Sequence, residues 1–244
     1  MKNVKLVLFI FATVVFASSC DDRGNNGLFN CIKGEGDVVT QDLLINEFKS
    51  VKLRGSSDVF ITQGSPFQVT VEGQQNIIDN IETDIQNHTW EIEFEDCMKN
   101  YTKLKFYITM PNIQKLEVSG SGKIKGENDF DVNEINLEVD GSGFIDVAVI
   151  DAASVDARIS GSGRIMVEGV SDYLGSKVSG SGDLKAFGLD ANICNIKISG
   201  SGDADVSAND ELKVKITGSG DVYYKGDPTI DVCITGSGDL VNAN

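Results

Sequence analysis

Seven Gly-Ser-Gly triplets start at Gly120, Gly141, Gly161, Gly180, Gly200, Gly218 and Gly236, and the one variable residue after each sets the chemistry the chain could carry. Those residues are Lys123, Phe144, Arg164, Asp183, Asp203, Asp221 and Asp239. If the repeats stack, the four aspartates form a ladder at the roughly 4.8 Å spacing of neighbouring strands. Adjacent carboxylates then repel by roughly 0.8 kcal/mol even at the dielectric of water. A cation, nearby lysines or plain solvation must offset this. Calcium takes carboxylate and carbonyl oxygens, so Gly-Ser-Gly-Asp corners are a conceivable calcium site. A solvated acidic ladder is the plainer reading, and neither a metal nor a cofactor is expected. A second ladder, Arg158, Lys177, Lys197 and Lys215, stands three residues before the first Gly of its own triplet and is placed to offset part of the charge.

Catalytic constellations find little support. The chain has one histidine, His88, which excludes a His-centred triad or a multi-His metal site. Gln86-Asn87-His88 reads as a turn between apolar runs at 81–85 and 90–94, so His88 is expected in a hairpin. Carboxylate pairs such as Asp203/Asp221 are too close and too regular for an inverting glycoside hydrolase. No repeat is long enough to wall a cleft, so no enzymatic activity and no catalytic residue is expected.

The elements that would position these residues follow from the repeat. The triplets recur at intervals of 21, 20, 19, 20, 18 and 18 residues and hold 14 of the 26 glycines, while proline numbers only 3. Abundant glycine without proline does not fit a disordered linker. Period-2 apolar sets flank each triplet, as in Leu116/Val118 and Ile145/Val147/Val149, which marks strands with one buried face. A unit of two short strands and two turns cannot bury that face alone, whereas stacked units can. The expected fold is all-β: a parallel single-stranded β-helix, or solenoid, of about seven coils over 113–244, with the right hand usual for parallel connections. Val118, Val139, Ile159, Val178, Ile198, Ile216 and Ile234 should form one interior column. An antiparallel sandwich is the competitor; it fits less well because one turn is repeated throughout.

Residues 31–112 lack the triplet and read as a β-rich cap, with strands at 48–53, 59–62, 68–71, 89–94 and 104–109, a helical turn at 76–80 and a degenerate corner at 54–59. Trp90 is expected in the core. Cys31 and Cys97 bracket this region beside polar turns, and a Cys31–Cys97 bridge is expected. Cys194 alternates with Ile196 and Ile198 as a small buried hydrophobe; Cys233 is out of phase with Ile230, Val232 and Ile234 and is not its partner.

The first residues address the protein. Lys2 and Lys5 precede an apolar run from Val4 to Ala17, which is followed by Ser18-Ser19-Cys20. That run is too short for a mature membrane span and right for a secretory signal at 1–19. Small residues directly before a cysteine resemble the lipobox of bacterial lipoproteins, which implies cleavage before Cys20 and its acylation. Ordinary signal-peptidase cleavage is the alternative. Asp21-Asp22 resemble a surface-export signal in some Gram-negative bacteria and an inner-membrane retention signal in others; outer membrane, at the cell surface, is the expectation. Residues 20–30 read as a tether. Net charge is −16 for the whole chain; loss of 1–19 removes two lysines and no acid, leaving −18. Such a body does not bind nucleic acid through a basic surface and meets the membrane through its acyl anchor only.

The lipobox, the CIKG start at Cys31–Gly34, Ile61-Thr62-Gln63-Gly64 and the serial [Val/Ile]-[Ser/Thr]-Gly-Ser-Gly units resemble the head GIN domain family of autotransporter-like adhesins over about 35–244. The resemblance implies an exported β-helical protein. A regular stack suits an extended polymer, so the expected partner is a glycan or protein along a solenoid face. The acidic ladder disfavours anionic polymers. An envelope structural or assembly protein without external ligand is the alternative, and a polysaccharide-active enzyme is third. Oligomeric state is left open.

Overall fold

The computed structural model describes residues 31–244; the signal segment, the tether and Cys20 lie outside the described residues. Cys31–Asn244 forms one compact unit with its own apolar core. The fold is a parallel β-solenoid, and its seven Gly-Ser-Gly corners bound about six full turns.

Each coil has an approach strand before the corner and a departure strand after it. Approach strands Lys115–Gly120 and Glu134–Gly141 pair in parallel, and the ladder continues through the long strands Phe144–Gly161, Arg164–Gly180, Asp183–Gly200 and Ala204–Gly218 to Thr229–Gly236. Val118, Val139, Ile159, Val178, Ile198, Ile216 and Ile234 are direct partners along it, so the antiparallel alternative is excluded. The first six are buried; each burial contributes on the order of 1.5–3 kcal/mol. Ile234 is 40% exposed because no further coil among the described residues covers it.

The corner sets the stacking. The first Gly of every triplet has φ between +112 and +136, a region where side chains are strained. A Cβ there would also lie under 3.0 Å from the carbonyl oxygen of the matching Gly one coil back. That same carbonyl accepts the N–H of the central serine: Ser142, Ser162, Ser181, Ser201, Ser219 and Ser237 each donate to it at 2.8 Å. The second Gly turns inward and has backbone of the preceding coil against it.

The cap is built from the same ladder. Ser50–Gly55 and Asp58–Gln63 pair in parallel with Lys115–Gly120 and Lys123–Gly126, with Gly55 directly opposite Gly120. The degenerate corner is therefore a real corner, with Ser57 in place of the second Gly. Thr89–Ile92 and Lys105–Met110 add one more parallel layer on the far side of this coil. Antiparallel strands then end the stack: Gln68–Gln74 on Lys105–Met110, Val38–Asp42 on Gln68–Gln74, and Ile85–Gln86 on Thr89–Ile92. Phe48, Trp90 and Phe106 fill this end, with ring centroids 5.6 Å apart in successive pairs. The single helical turn is Gln75–Ile78. Cys31 and Cys97 are disulfide-bonded, closing a separation of 66 residues, and Ile32–Lys33 pairs in parallel with Met98–Lys99 beside them. In the entropy model a loop of that length constrains the unfolded chain by about 4 kcal/mol.

Replacing Gly200 by alanine adds both a strained φ and a backbone clash, so denaturant unfolding should show a loss of about 2 kcal/mol or more. Ser201→Ala, which leaves the exposed serine's backbone bond in place, should change stability by less than about 0.5 kcal/mol.

Candidate functional site

The side chain after each triplet points outward from the departure strand. Register places Lys105, Asp58, Lys123, Phe144, Arg164 and Asp183 in one column. Asp203, Asp221 and Asp239 continue it: their successors Ala204, Val222 and Leu240 are ladder partners, and the Asp203, Asp221 and Asp239 carbonyls accept the N–H groups of Leu184, Ala204 and Val222. The seven positions predicted to stack therefore do so, and the cap adds two more.

Three interactions relieve the charge of the aspartate column. Arg164 Nη2 lies 3.0 Å from Asp183 Oδ2. Asp203 Oδ1 accepts the backbone N–H of Asp221, and Asp221 Oδ1 accepts that of Asp239, each at 2.8 Å. Asp203 and Asp221 thus each have a backbone donor from the next coil, a partner that residue types alone do not reveal. Tyr223 donates its hydroxyl to Asp221 Oδ2 at 3.3 Å, and the Asp221 charge beside it pushes the phenol pKa up. Among the described residues no three His, Cys, Asp or Glu side chains converge to hold a metal ion.

The predicted counter-charge ladder is displaced. Arg158, Lys177, Lys197 and Lys215 do form a column, but on the approach strands, across the corner from the aspartates. Relief of the aspartate column comes instead from Arg164 and from backbone N–H groups.

A second departure-face column runs alongside the first: Thr70, Tyr107, Phe60, Lys125, Asp146, Met166, Lys185 and Asp205. Phe60 and Tyr107 stack at 5.2 Å with an interplanar angle of 15°, and Lys123 Nζ lies 5.2 Å from the Phe144 ring centroid. This aromatic group near the cap was not legible in the sequence, because Phe60 and Tyr107 belong to coils without the triplet. His88 sits in the two-residue turn with Asn87, both at positive φ, and its carbonyl accepts the N–H groups of Lys49 and Ser50. Cys194 is buried, and burial pushes its thiol up to about 12, while Cys233 is exposed.

The fold matches known proteins. Residues 47–228 match the family described as putative auto-transporter adhesin, head GIN domain, and the chain belongs to that family. Solved structures share the fold. A putative adhesin from Bacteroides fragilis superposes with a TM-score of 0.78 at 22% identity, over 86% of this chain and 99% of that one. A putative lipid binding protein from Parabacteroides distasonis gives 0.74 at 25% identity, over 87% and 99%. A putative adhesin from the same species gives 0.73 at 22%, over 88% and 100%. No curated protein matches the chain.

If backbone bonds rather than a metal hold the aspartate column, Asp221→Ala should cost about 1 kcal/mol. Asp221→Asn, whose amide oxygen still accepts the Asp239 N–H, should cost markedly less. Thermal unfolding of the parent protein should be unchanged by a chelator.

Proposed function

We propose that this chain is an exported, lipid-anchored adhesin of the outer membrane, displayed at the cell surface, that engages a glycan or protein lengthwise along a face of its solenoid. The observation that carries the reading is the shared register of the outward columns on either side of the corner. Identical positions repeat once per coil, at about 4.8 Å, over the whole stack, and a linear polymer with a comparable repeat can meet several coils at once. Affinity from so short a stack is modest for one molecule, and many copies anchored on one cell raise it through effective concentration. The anchor is the Cys20 acyl group, since the net-acidic body has little attraction to anionic lipid.

A non-enzymatic role fits the site: Asp203 and Asp221 each accept a backbone N–H from the next coil and Asp183 pairs with Arg164, so three of the four carboxylates of the column are engaged in holding the stack. An envelope assembly role is a second reading. Its support is the last coil, where Ile230, Val232 and Ile234 are 40–45% exposed although their partners one coil back, Leu212, Val214 and Ile216, are buried.

Two measurements test the reading. Cys20→Ala should move the protein from the membrane fraction to the soluble fraction, and persistent tight membrane association would refute the acyl anchor. A glycan array probed with Cys31–Asn244 should give hits that survive a chelator. Chelator-sensitive binding lost in Asp203→Asn and Asp221→Asn would instead place a metal at the column.

A further inference from the structure

The approach face carries a feature that the aspartate column does not explain. Arg158, Lys177, Lys197 and Lys215 are consecutive ladder partners, all four are exposed, and the protein around them is strongly acidic. Stacked cations at about 4.8 Å repel one another, yet none of the four forms an ion pair with a carboxylate among the described residues. Two carboxylates close by along the ladder are committed elsewhere, Glu138 to Lys115 at 2.7 Å and Asp231 to Lys213 at 3.2 Å, while Asp156, beside Arg158, accepts the Ser154 hydroxyl at 3.4 Å.

Two neighbouring features give this row the form of a binding surface. Two residues after each cation comes an outward hydroxyl, Ser160, Ser179, Ser199 and Thr217, itself a ladder column. Each of four successive coils thus presents one cation and one hydroxyl on the same face. On the other side of the cations, Gly175 stands between Asp156 and Asn195 in the register; a hollow of about 250 Å³ here is bordered by Asp156, Arg158, Tyr173, Lys177, Asn195 and Lys197, with the Asp156 carboxylate and the Tyr173 ring taking the space beside Gly175. Asn195 carries the second sign of an unmet partner: its Oδ1 makes no hydrogen bond, and a turn of the amide into the hollow would bring it to a ligand donor.

We propose that the approach face binds an acidic polysaccharide, with Arg158, Lys177, Lys197 and Lys215 pairing successive anionic groups and a sugar ring seated in the hollow against Asn195 and Tyr173, its hydroxyls donating to Asp156. A chain with one carboxylate per ring offers what the face repeats, one anion and several hydroxyls per unit at a spacing close to that of the coils. Arginine and lysine supply charge-assisted donors to carboxylate or sulfate, and the serine column supplies neutral partners for hydroxyls. The aspartate column lies across the corner, on the departure face, so it does not oppose an anionic chain lying along the approach strands. The proposal rests on the adhesin reading and adds the face and the ligand class.

The test uses Cys31–Asn244, the compact unit, with polygalacturonate, dextran sulfate, neutral dextran and a single-stranded oligonucleotide as probes, followed by calorimetry at two salt concentrations. Polygalacturonate should bind, weaken as salt rises, and lose at least tenfold in affinity in Lys177→Ser/Lys197→Ser, whose melting temperature should match the parent's. Asn195→Leu should weaken polygalacturonate several-fold at unchanged charge. Equal strengthening or loss across polygalacturonate and dextran sulfate identifies any polyanionic glycan as the ligand; selective binding of polygalacturonate identifies the carboxylate. Binding of the oligonucleotide as tight as that of either glycan would overturn the assignment. Glycan binding indifferent to the lysine variants but lost in Phe60→Ala/Tyr107→Ala would overturn this face while leaving the adhesin reading standing. Binding of no glycan here or on the array would remove both.

Discussion

Everything in this solenoid depends on one backbone contact: the carbonyl of the first corner glycine receiving the serine N–H of the next coil at 2.8 Å. The contact leaves no space for a Cβ at either glycine, and the first also needs a φ that other residues adopt only with strain. Because the contact recurs at every corner, the coils cannot slip by a residue without giving up all of these bonds together. Register follows from it, and so do the interior column that supplies the hydrophobic stabilisation and the outer columns that supply the surface. The variable position beside the triplet is then a place where sequence can change without disturbing the stack. Lysine, phenylalanine, arginine and aspartate all occupy it.

Repetition has opposite consequences inside and outside. Inside, Val118 to Ile216 stack like on like, and each coil buries the apolar surface of its neighbour. Outside, the same rule brings like charges together, which costs energy unless a partner is found. The two charged columns solve this differently. Asp203 and Asp221 each take a backbone N–H from the next coil, and Asp183 takes Arg164 from the coil before it. The approach-face cations take no partner of the described chain, and that asymmetry is what gives the two faces different binding character.

Much of the fold was legible because its determinant is written as a literal repeat. The triplet, its 18–21-residue period and the alternating apolar flanks lead directly to parallel stacking and to the correct interior column. The cap was less legible for a physical reason. At Gly55 the corner survives with Ser57 replacing the second glycine, so only a trace of the motif remains. The layer of Thr89–Ile92 and Lys105–Met110 has no corner at all; the intervening chain is held by the Cys31–Cys97 disulfide and the Ile32–Lys33 pairing. Aromatic stacking of Phe60 on Tyr107 could not be read from residues 47 positions apart in coils that carry no triplet. The lysine ladder and its place before the triplet were visible; that it does not pair with the aspartates was not, because period-2 alternation says which side of a strand a residue takes and not the angle between the two strands that meet at the corner.

The central claim is that the corner contact, and not the exposed corner side chain, holds the stack. Native-state hydrogen exchange of the amides of Ser142, Ser162, Ser181, Ser201 and Ser219 tests it most directly. Their side chains are exposed, so a surface turn without that contact would exchange through local opening at almost no free-energy cost. The account predicts that these five amides are protected nearly to the free energy of global unfolding, in step with Ile159 and Ile198 of the interior column. Fast exchange at the serines beside slow exchange at those isoleucines would contradict it.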